Sequence, residues 1–309
     1  MSGPTGRRLL LTRRRVLAGT AALLAAATAG SGCSAGGPAG PGGGGRQDEG
    51  VQTIRYGDHP SQIAELSLPS GTSLVPVVVV VHGGFWREAY GFDLGRPLAA
   101  DLVSRGWAAL NVEYRRVGDS AEAGGGGWPA TCLDVAAAVD SLAEEGQRIA
   151  GGRLDLSRVV ALGHSAGGHL AGWLASRAGQ DEGAPGASPQ VSLTGAVLQA
   201  GVVDLVGGYD ADLGGGAVLG LMGASPTEAM EAYAQASPTL RVPLGVPTVC
   251  VHGHADDVVP ILQSQTFVAA ATGAGDESQL LDFDGDHMDV VDTEHPAWKL
   301  CVSALQRLL

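Results

Sequence analysis

The sequence predicts an α/β fold in which a mostly parallel sheet is covered by helices on both faces. Apolar β-branched runs alternate with helix-compatible segments over most of the 309 residues, which is typical of repeated strand–helix–strand units. Segment 76–81 is continuously apolar, as expected for a strand buried on both faces of a parallel sheet. Segment 159–164 leads through Ser165 towards a helix-compatible run at 170–177, so a tight turn joins a strand to a helix there.

The other elements follow from the same patterns. Segments 51–56 and 63–68 alternate between apolar and polar residues and predict two edge strands, which could pair as a hairpin. Further strands are predicted at 107–112, 193–199, 247–251 and 279–283, and helices at 94–105, 129–145, 262–271 and 295–309. Asp134 and Asp140 belong to the helix at 129–145, where we expect them on a solvated face or in a cap.

Segment 205–238 interrupts this alternation. It contains a glycine cluster at 214–216 and a helical run at 227–236. Insertions at this place lie over the carboxyl ends of the strands, where open α/β sheets bind ligands. We therefore predict a short lid insertion that shapes the substrate pocket. The side chains available to line that pocket, or simply to pack the lid, are Tyr209, Leu219, Met222 and Tyr233.

The N-terminus has the organisation of an export signal. Residues 1–33 contain five arginines and no acidic residue, and an apolar, alanine-rich run follows the arginines at 13–15. This resembles a twin-arginine signal, although an ordinary secretory signal has the same layout. Processing is expected either after Ala29 or at Cys33, where the preceding residues resemble a lipoprotein box with Gly30 in place of the usual leucine. A lipid on Cys33 would tether the protein to the outer face of the cell membrane.

Residues 34–50 are mostly Gly, Ala, Pro and Ser and predict a flexible linker. The folded domain is therefore expected to span 51–309. The net charge of the chain is −13, which disfavours nucleic acid as a partner and leaves a lipid on Cys33 as the expected membrane contact.

The turn at Ser165 has the Gly-x-Ser-x-Gly pattern of a nucleophile turn. A serine at a sharp strand-to-helix turn has crowded neighbours, and Gly163 and Gly167 remove side chains that would clash there. The backbone N–H of Ala166 begins the helix and points to where an oxyanion would form. A second donor is expected after strand 76–81, from Gly84 or Phe85.

A serine nucleophile needs a base and a carboxylate that holds the base in one tautomer. In this architecture the chain order is Ser, then Asp, then His. His287 follows the last predicted strand and is the expected base. Asp256 follows the strand before it, and the phrase Gly253-x-x-Asp256-x-x-Val259-Pro260 favours it over the neighbouring Asp257.

The sequence predicts no metal site and no cofactor. His252, His254 and Asp256 lie on one side of an extended segment, but no second cluster completes a tetrahedral zinc site. Cys132, Cys250 and Cys301 lack ligand spacing and are expected to be buried small hydrophobic side chains, although a disulfide after export remains open.

Five motifs together resemble the α/β-hydrolase superfamily, and in particular its branch of feruloyl- and acetyl-esterase-like enzymes and kynurenine formamidases. They are His-Gly-Gly-Phe-Trp at 82–86, Asn-Val-Glu-Tyr-Arg at 111–115, Gly-His-Ser-Ala-Gly-Gly-His at 163–169, the stretch 253–260 and Gly-Asp-His at 285–287. The resemblance implies a Ser165–Asp256–His287 triad with oxyanion donors from Gly84, Phe85 and Ala166. The lipase form of the oxyanion motif has a third glycine where Phe85 stands, so Phe85 and Trp86 suggest an aromatic wall beside the acyl site.

The expected function is that of an exported serine hydrolase acting on carboxylic esters of small or carbohydrate-linked acyl groups. We expect Trp86, His164 and Met222 to line its substrate pocket. Two alternatives stay open from the sequence, an arylformamidase of the kynurenine formamidase type and a catalytically inactive binding module of the same fold.

Overall fold

A computed structural model describes residues 50–309, and the predicted export signal, its processing sites and most of the linker lie outside this part. Eight strands form one sheet in the spatial order β1-β2-β4-β3-β5-β6-β7-β8. In chain order they are β1 (Val51–Arg55), β2 (Ile63–Ser67), β3 (Val75–Val81), β4 (Ala108–Val112), β5 (Leu154–His164), β6 (Gly195–Gln199), β7 (Thr248–Gly253) and β8 (Ser278–Phe283). β2 pairs antiparallel with both of its neighbours, and the pairs from β4 to β8 are parallel.

The centre of the sheet is the most buried part of the fold. All seven residues of β3 are buried, because β3 pairs with β4 on one side and β5 on the other. Alternate side chains of β3 enter two different apolar clusters, Val79 on one face and Val78 on the other. Two-sided burial explains why the strand is continuously β-branched rather than alternating.

Helices cover both faces, as predicted. The helices are α1 (Arg96–Ser104), α2 (Ala130–Asp140), α3 (Gln147–Ala150), α4 (Ala166–Ala175), α5 (Leu205–Asp210), α6 (Ala217–Met222), α7 (Met230–Ala236), α8 (Leu262–Gly273) and α9 (Pro296–Leu308). α1 and α9 pack on the face that contains Val78, through side chains such as Leu102 and Trp298. α2, α4 and α8 pack on the opposite face. This is the α/β-hydrolase architecture, and it places the loops after β3, β5, β7 and β8 at one edge of the sheet.

Two expectations about the outer elements are wrong. Segment 63–68 does not form an edge strand, because β2 lies between β1 and β4. Asp134 and Asp140 are not on a solvated face of α2. The side chain of Asp134 is 2% exposed and accepts two hydrogen bonds from the Arg115 guanidinium, at 2.7 and 2.8 Å, and Asp140 accepts from Arg177 at 2.6 Å. These pairings satisfy carboxylates that would otherwise be costly to bury.

The insertion between β6 and β7 forms a small helical lid from α5, α6 and α7. A cavity of about 290 Å³ opens within it, and Tyr209 and Leu219 are among its lining residues. Met222 and Tyr233 instead belong to the buried core. Within residues 50–309, no helix is both long enough and apolar enough to cross a membrane.

Candidate active site

Ser165 sits on the turn between β5 and α4 in a strained backbone conformation. Its φ and ψ are 57° and −119°, a region that is costly for a residue with a side chain. Two backbone hydrogen bonds hold the turn, from Ser165 N–H to the Gln199 carbonyl at 2.8 Å and from Gly168 N–H to the Ser165 carbonyl at 2.9 Å. The strand-turn-helix predicted from the sequence is therefore present, with the serine at its apex.

The glycines of the turn are required by close backbone contacts. A Cβ atom at Gly163 would overlap the main chain of Gly167, and one at Gly167 would overlap the carbonyl oxygen of Val81. A methyl group at either position would push α4 away from β5 or β3. The pattern around Ser165 is therefore a packing requirement of this turn.

Asp256 and His287 meet at the same edge of the sheet. Asp256 follows β7, His287 follows β8, and His287 Nδ1 donates to Asp256 Oδ2 at 2.7 Å. The other carboxylate oxygen of Asp256 accepts from the N–H groups of Val258 and Val259 at 2.9 and 2.8 Å. With Nδ1 carrying the proton, the lone pair of His287 lies on Nε2, the nitrogen that a general base needs free.

Of the two neighbouring acids, Asp256 is the one that contacts His287. Asp257 is exposed, whereas the side chain of Asp256 is inaccessible to solvent. Burial by itself raises the pKa of Asp256, but hydrogen bonds from His252, His287 and the Val259 N–H hold that pKa well below its ordinary value. Asp256 is therefore a carboxylate near neutral pH.

His252 is a partner of the acid that the sequence did not reveal. Its Nε2 lies 3.2 Å from Asp256 Oδ2 and 2.8 Å from the Val259 carbonyl, and its Nδ1 lies 2.7 Å from the Ser264 hydroxyl. The carbonyl and the carboxylate can only accept, so Nε2 of His252 is the donor to both. A histidine four positions before the acid was visible in the sequence, but its burial behind the acid was not.

His164 connects the serine turn to the base. Its place in the pocket wall stays a prediction, and the structure shows a largely buried side chain that donates Nε2–H to the main-chain oxygen of His287 at 2.9 Å. The two imidazole rings also pack with their centroids 4.5 Å apart. Since Ser165 follows His164 directly, this contact keeps the serine turn and the His287 loop together.

The buried histidines make the fold sensitive to mild acid. Burial lowers the pKa of His164 to about 3, with a further contribution from His287, and lowers the pKa of His169 to about 4. The unfolded chain binds these protons near pH 6.5, so it holds more protons than the folded chain below that pH. We expect the free energy of unfolding to fall by about 1.4 kcal/mol per pH unit for each histidine as the pH drops from about 6.5 to 5.

Urea unfolding at several pH values measures this slope. His169→Gln keeps an amide donor that can reach the Ala236 carbonyl, which His169 Nε2 contacts at 3.0 Å, but removes one of the two titrating groups. The variant should therefore lose less stability than the parent over the same pH interval. An equal slope in both proteins would contradict the assignment of His169 as a neutral buried group.

The loop after β3 lies beside the serine. Its backbone turns through three consecutive positive φ angles, 108° at Gly84, 51° at Phe85 and 56° at Trp86. A Cβ atom at Gly83 would lie 3.0 Å from the Cβ atom of Ser165, so side-chain-free backbone is needed at this approach. Within residues 50–309, the N–H groups of Gly84, Phe85 and Ala166 have no hydrogen-bond acceptor, as expected for donors reserved for a ligand.

The lid contacts this loop directly. The ring of Phe85 packs against Gly214, where a Cβ atom would overlap it, and the Arg87 guanidinium donates to the Gly214 carbonyl. Arg87 N–H in turn donates to the Gly84 carbonyl at 3.0 Å. The glycines at 214–216 all have positive φ, so the backbone can approach the ring of Phe85 closely.

Two further residues that were predicted to line the pocket are largely buried. Trp86 is fully buried, with its ring edge-to-face against His169 at 5.2 Å between centroids. Met222 is 7% exposed and packs in the core. Their places in the pocket stay predictions, because Ser165 is itself only 3% exposed and low exposure does not exclude a place at the site.

The sequence also missed a buried charged cluster behind the loop after β3. His82, Glu113 and Arg116 are each at most 6% exposed, and Glu113 lies between the other two. An acidic residue directly after the apolar strand 107–112 was the available signal, since a charge at the buried end of a strand needs partners.

Among the described residues, no group of three His, Cys, Asp or Glu side chains is arranged so that it could hold a metal ion. Cys132, Cys250 and Cys301 are buried free thiols, so the open question of a disulfide between them is answered for this structure. Burial raises the pKa of Cys250 and of Cys301 to about 12, which keeps both thiols protonated.

Comparison with known proteins identifies the family. The BD-FAE family model matches residues 65–270, which is most of the described domain and includes Ser165 and Asp256. The chain belongs to the BD-FAE family. The match ends before His287, so the pairing of this histidine with Asp256 is an observation from the structure alone.

Proteins with similar sequences include esterases and a formamidase. Esterase LipC of Mycobacterium tuberculosis is 28% identical over 70% of this BD-FAE chain and 53% of its own length. The kynurenine formamidase of Salmo salar is 30% identical over 50% of the chain and 46% of its own length. The chain thus spans about half the length of the curated relatives it matches.

A solved structure with the same fold is a truncated carbohydrate esterase from gut microbiota. It superposes with a TM-score of 0.65 at 20% identity, covering 85% of this chain and 98% of that one. At this identity the superposition supports the α/β-hydrolase fold, and the chemistry has to be argued from the side chains.

Proposed function

We propose that this protein is a serine hydrolase that cleaves carboxylic esters through an acyl-enzyme on Ser165. The single observation that carries the proposal is the 2.7 Å hydrogen bond between His287 Nδ1 and Asp256 at the edge of the sheet that also presents Ser165. A carboxylate that fixes the tautomer of a histidine, on the same sheet edge as a serine on a strained turn, supplies the groups that acyl transfer needs. The esterase names among the relatives support the same class.

In the proposed reaction His287 Nε2 takes the proton of the Ser165 hydroxyl as the oxygen attacks the ester carbonyl. The negative charge that develops on the carbonyl oxygen is stabilised by the free N–H groups of Gly84 and Ala166, with Phe85 as a further donor. The carbon–oxygen bond to the alcohol then breaks, and His287 gives its proton to the departing oxygen. Water attacks the acyl-enzyme with His287 again as base, which releases the carboxylic acid and restores Ser165.

The proposed substrates are esters of small or carbohydrate-linked acyl groups. The carbohydrate esterase of the same fold favours this class, and the cavity inside the lid lies next to the backbone that contacts Phe85. We further propose that the enzyme is exported, because the arginines at 13–15 and the apolar run at 18–29 have the layout of an export signal. Cleavage after Ala29 and lipidation of Cys33 are the two proposed forms of the mature N-terminus, and mass spectrometry of the secreted protein distinguishes them.

A second candidate function is hydrolysis of an aryl formamide. The kynurenine formamidase relative favours it, as does an aromatic pair, Phe85 and Trp86, after the glycines of the loop. The same serine, base and oxyanion donors serve both reactions, so the difference lies in the leaving group. A catalytically inactive binding module would keep the fold without turnover.

A fluorophosphonate probe tests the proposal, because it labels only activated serines. We expect the full chain to take the label on Ser165 and the Ser165→Ala variant to take none. A panel of p-nitrophenyl esters, acetylated xylan, feruloyl esters and N-formylkynurenine then separates the candidates. Faster turnover of N-formylkynurenine than of any ester would favour the formamidase, and no labelling with no turnover would favour the binding module.

A further inference from the structure

The buried cluster of His82, Glu113 and Arg116 lies directly behind the loop that carries the proposed oxyanion donors. His82 is the first residue after β3, and Glu113 and Arg116 follow β4. Glu113 Oε1 lies 3.0 Å from His82 Nε2 and 2.7 Å from Arg116 Nη1. The proposed reaction makes no direct use of these side chains, yet burying three ionisable groups together is costly unless each has partners.

The hydrogen bonds of His82 define its protonation. Nδ1 lies 2.8 Å from the Gly83 carbonyl oxygen and Nε2 lies 3.0 Å from the Glu113 carboxylate. Both oxygens can only accept, so both ring nitrogens have to donate, and only the imidazolium has two N–H donors. The ring also stacks on Tyr114, with centroids 4.4 Å apart and planes 9° apart, which fixes the direction of both N–H bonds.

Glu113 is ionised, as the two donors that face it require. Burial raises its pKa, but hydrogen bonds from His82 and Tyr114 N–H and the charges of His82 and Arg116 hold the pKa below its ordinary value. Its second oxygen accepts from Phe92 N–H at 3.1 Å.

The other ionisable groups packed around this cluster are uncharged or paired. Burial raises the pKa of the Tyr56 and Tyr114 phenols, and Arg115 is bonded to Asp134. The cluster therefore carries one net positive charge.

The Gly83 carbonyl, which accepts from His82 Nδ1, belongs to the same peptide group as the Gly84 N–H, the proposed oxyanion donor. The Gly83 carbonyl and the Gly84 N–H are the two ends of one trans peptide, so they point in opposite directions. A hydrogen bond to the carbonyl fixes the plane of this peptide and thereby aims the N–H away from His82. It also withdraws electron density from the peptide, which makes the N–H a stronger donor.

We propose that His82 is a positioning residue of the oxyanion hole, which as an imidazolium held by Glu113 donates to the Gly83 carbonyl and so orients and polarises the Gly84 N–H. This inference rests on the proposed serine hydrolase function. Arg116 completes the arrangement by binding Glu113 and also donating to the Tyr90 carbonyl at 2.5 Å, which ties the far end of the loop to the same carboxylate.

Substitutions at His82 separate donation from packing. His82→Leu removes the donor, and His82→Asn keeps a neutral amide donor near the position of Nδ1. We expect kcat/KM for p-nitrophenyl acetate to fall about 10- to 100-fold in His82→Leu through kcat, less than the loss of an oxyanion donor itself, with KM changed less than about twofold. The kcat/KM of His82→Asn should lie between those of His82→Leu and the parent protein. His254→Asn, at an exposed histidine bonded to Asp282 and Asp284, is the control and should leave the rate unchanged.

A boronic acid that forms a tetrahedral adduct on the serine reports on the oxyanion hole alone. Its affinity should fall by the same factor as kcat/KM across the His82 variants and Glu113→Gln. A merely structural role would instead lower the melting temperature without this proportionality. A folded His82→Leu protein that keeps its full kcat/KM and boronic acid affinity would overturn the inference, while ester turnover and fluorophosphonate labelling by the parent would leave the proposed function intact.

Nitrogen NMR of the histidine rings tests the charge on His82 without any activity assay. Near neutral pH we expect one buried ring with both nitrogens protonated, absent from the His82→Asn spectrum and neutral in Glu113→Gln. A neutral His82 in the parent would overturn the inference.

If His82→Leu does not fold, the kinetics of His82→Asn and this spectrum decide the question. A parent protein that neither takes the probe nor hydrolyses any ester would instead contradict the proposed function.

Discussion

Replacing Ser165 by alanine is expected to lower kcat for ester hydrolysis by a factor on the order of 10⁵ to 10⁶. The substitution removes the nucleophile, while the donors at Gly84 and Ala166 and the substrate pocket remain, so KM should change far less than kcat. Steady-state rates with p-nitrophenyl acetate, together with substrate titration of the inactive variant, measure the two effects separately.

A matched control for this variant is Ser188→Ala. Ser188 is also a non-glycine residue with a φ of 57°, but it is exposed in a loop. Both substitutions place alanine at a positive φ and should affect stability similarly, so a difference in rate between them reports on chemistry. Equal activities of the two variants would remove Ser165 from the mechanism.

Asp256→Asn is expected to lower kcat about 10⁴-fold, with little change in the fold. Asparagine retains an oxygen that can accept from Val258 and Val259 N–H, and its NH2 group, a donor, would then face His287 Nδ1 in place of the carboxylate oxygen. His287 would then lose the partner that keeps its proton on Nδ1, and its Nε2 would no longer be reserved for Ser165. Steady-state kinetics with a small ester measure the effect.

Asp257→Asn is the control for that experiment. Asp257 has the same charge and the adjacent position, but it is exposed and the described structure gives it no hydrogen bond. We expect its rate to stay within about twofold of the parent. A larger loss in Asp257→Asn than in Asp256→Asn would show that the loop rearranges in solution and that the acid is misassigned.

The sequence was most informative where a short stretch of residues has to satisfy a local steric or burial requirement. The continuous valines of β3 indicated a strand buried on both faces, and the glycines around Ser165 indicated a turn with no space for side chains. The order of Ser165, Asp256 and His287 along the chain placed each residue after a strand, and parallel strands end at one edge. The architecture and the positions of these three residues followed from those facts.

Side-chain surroundings were predicted less well, because they depend on which strands become neighbours. His82 and Glu113 are 31 positions apart and meet only because β3 and β4 pair in parallel register. Asp134 was predicted to be solvated and is buried against Arg115, a residue on a different element. The sequence also gave no sign that His164 would contact the His287 main chain or that Trp86 would pack against His169.

By itself, the sequence determined the α/β architecture, the strained turn at Ser165 and the loops on which an acid and a base would lie. These depend on backbone sterics and on hydrophobic periodicity, which are properties of contiguous residues. The tertiary structure alone decided that His252 contacts Asp256, that His164 contacts the base, and that His82 bonds the Gly83 carbonyl. Each of these depends on the direction of a side chain among distant neighbours, and that direction is set only once the sheet and its helices have packed.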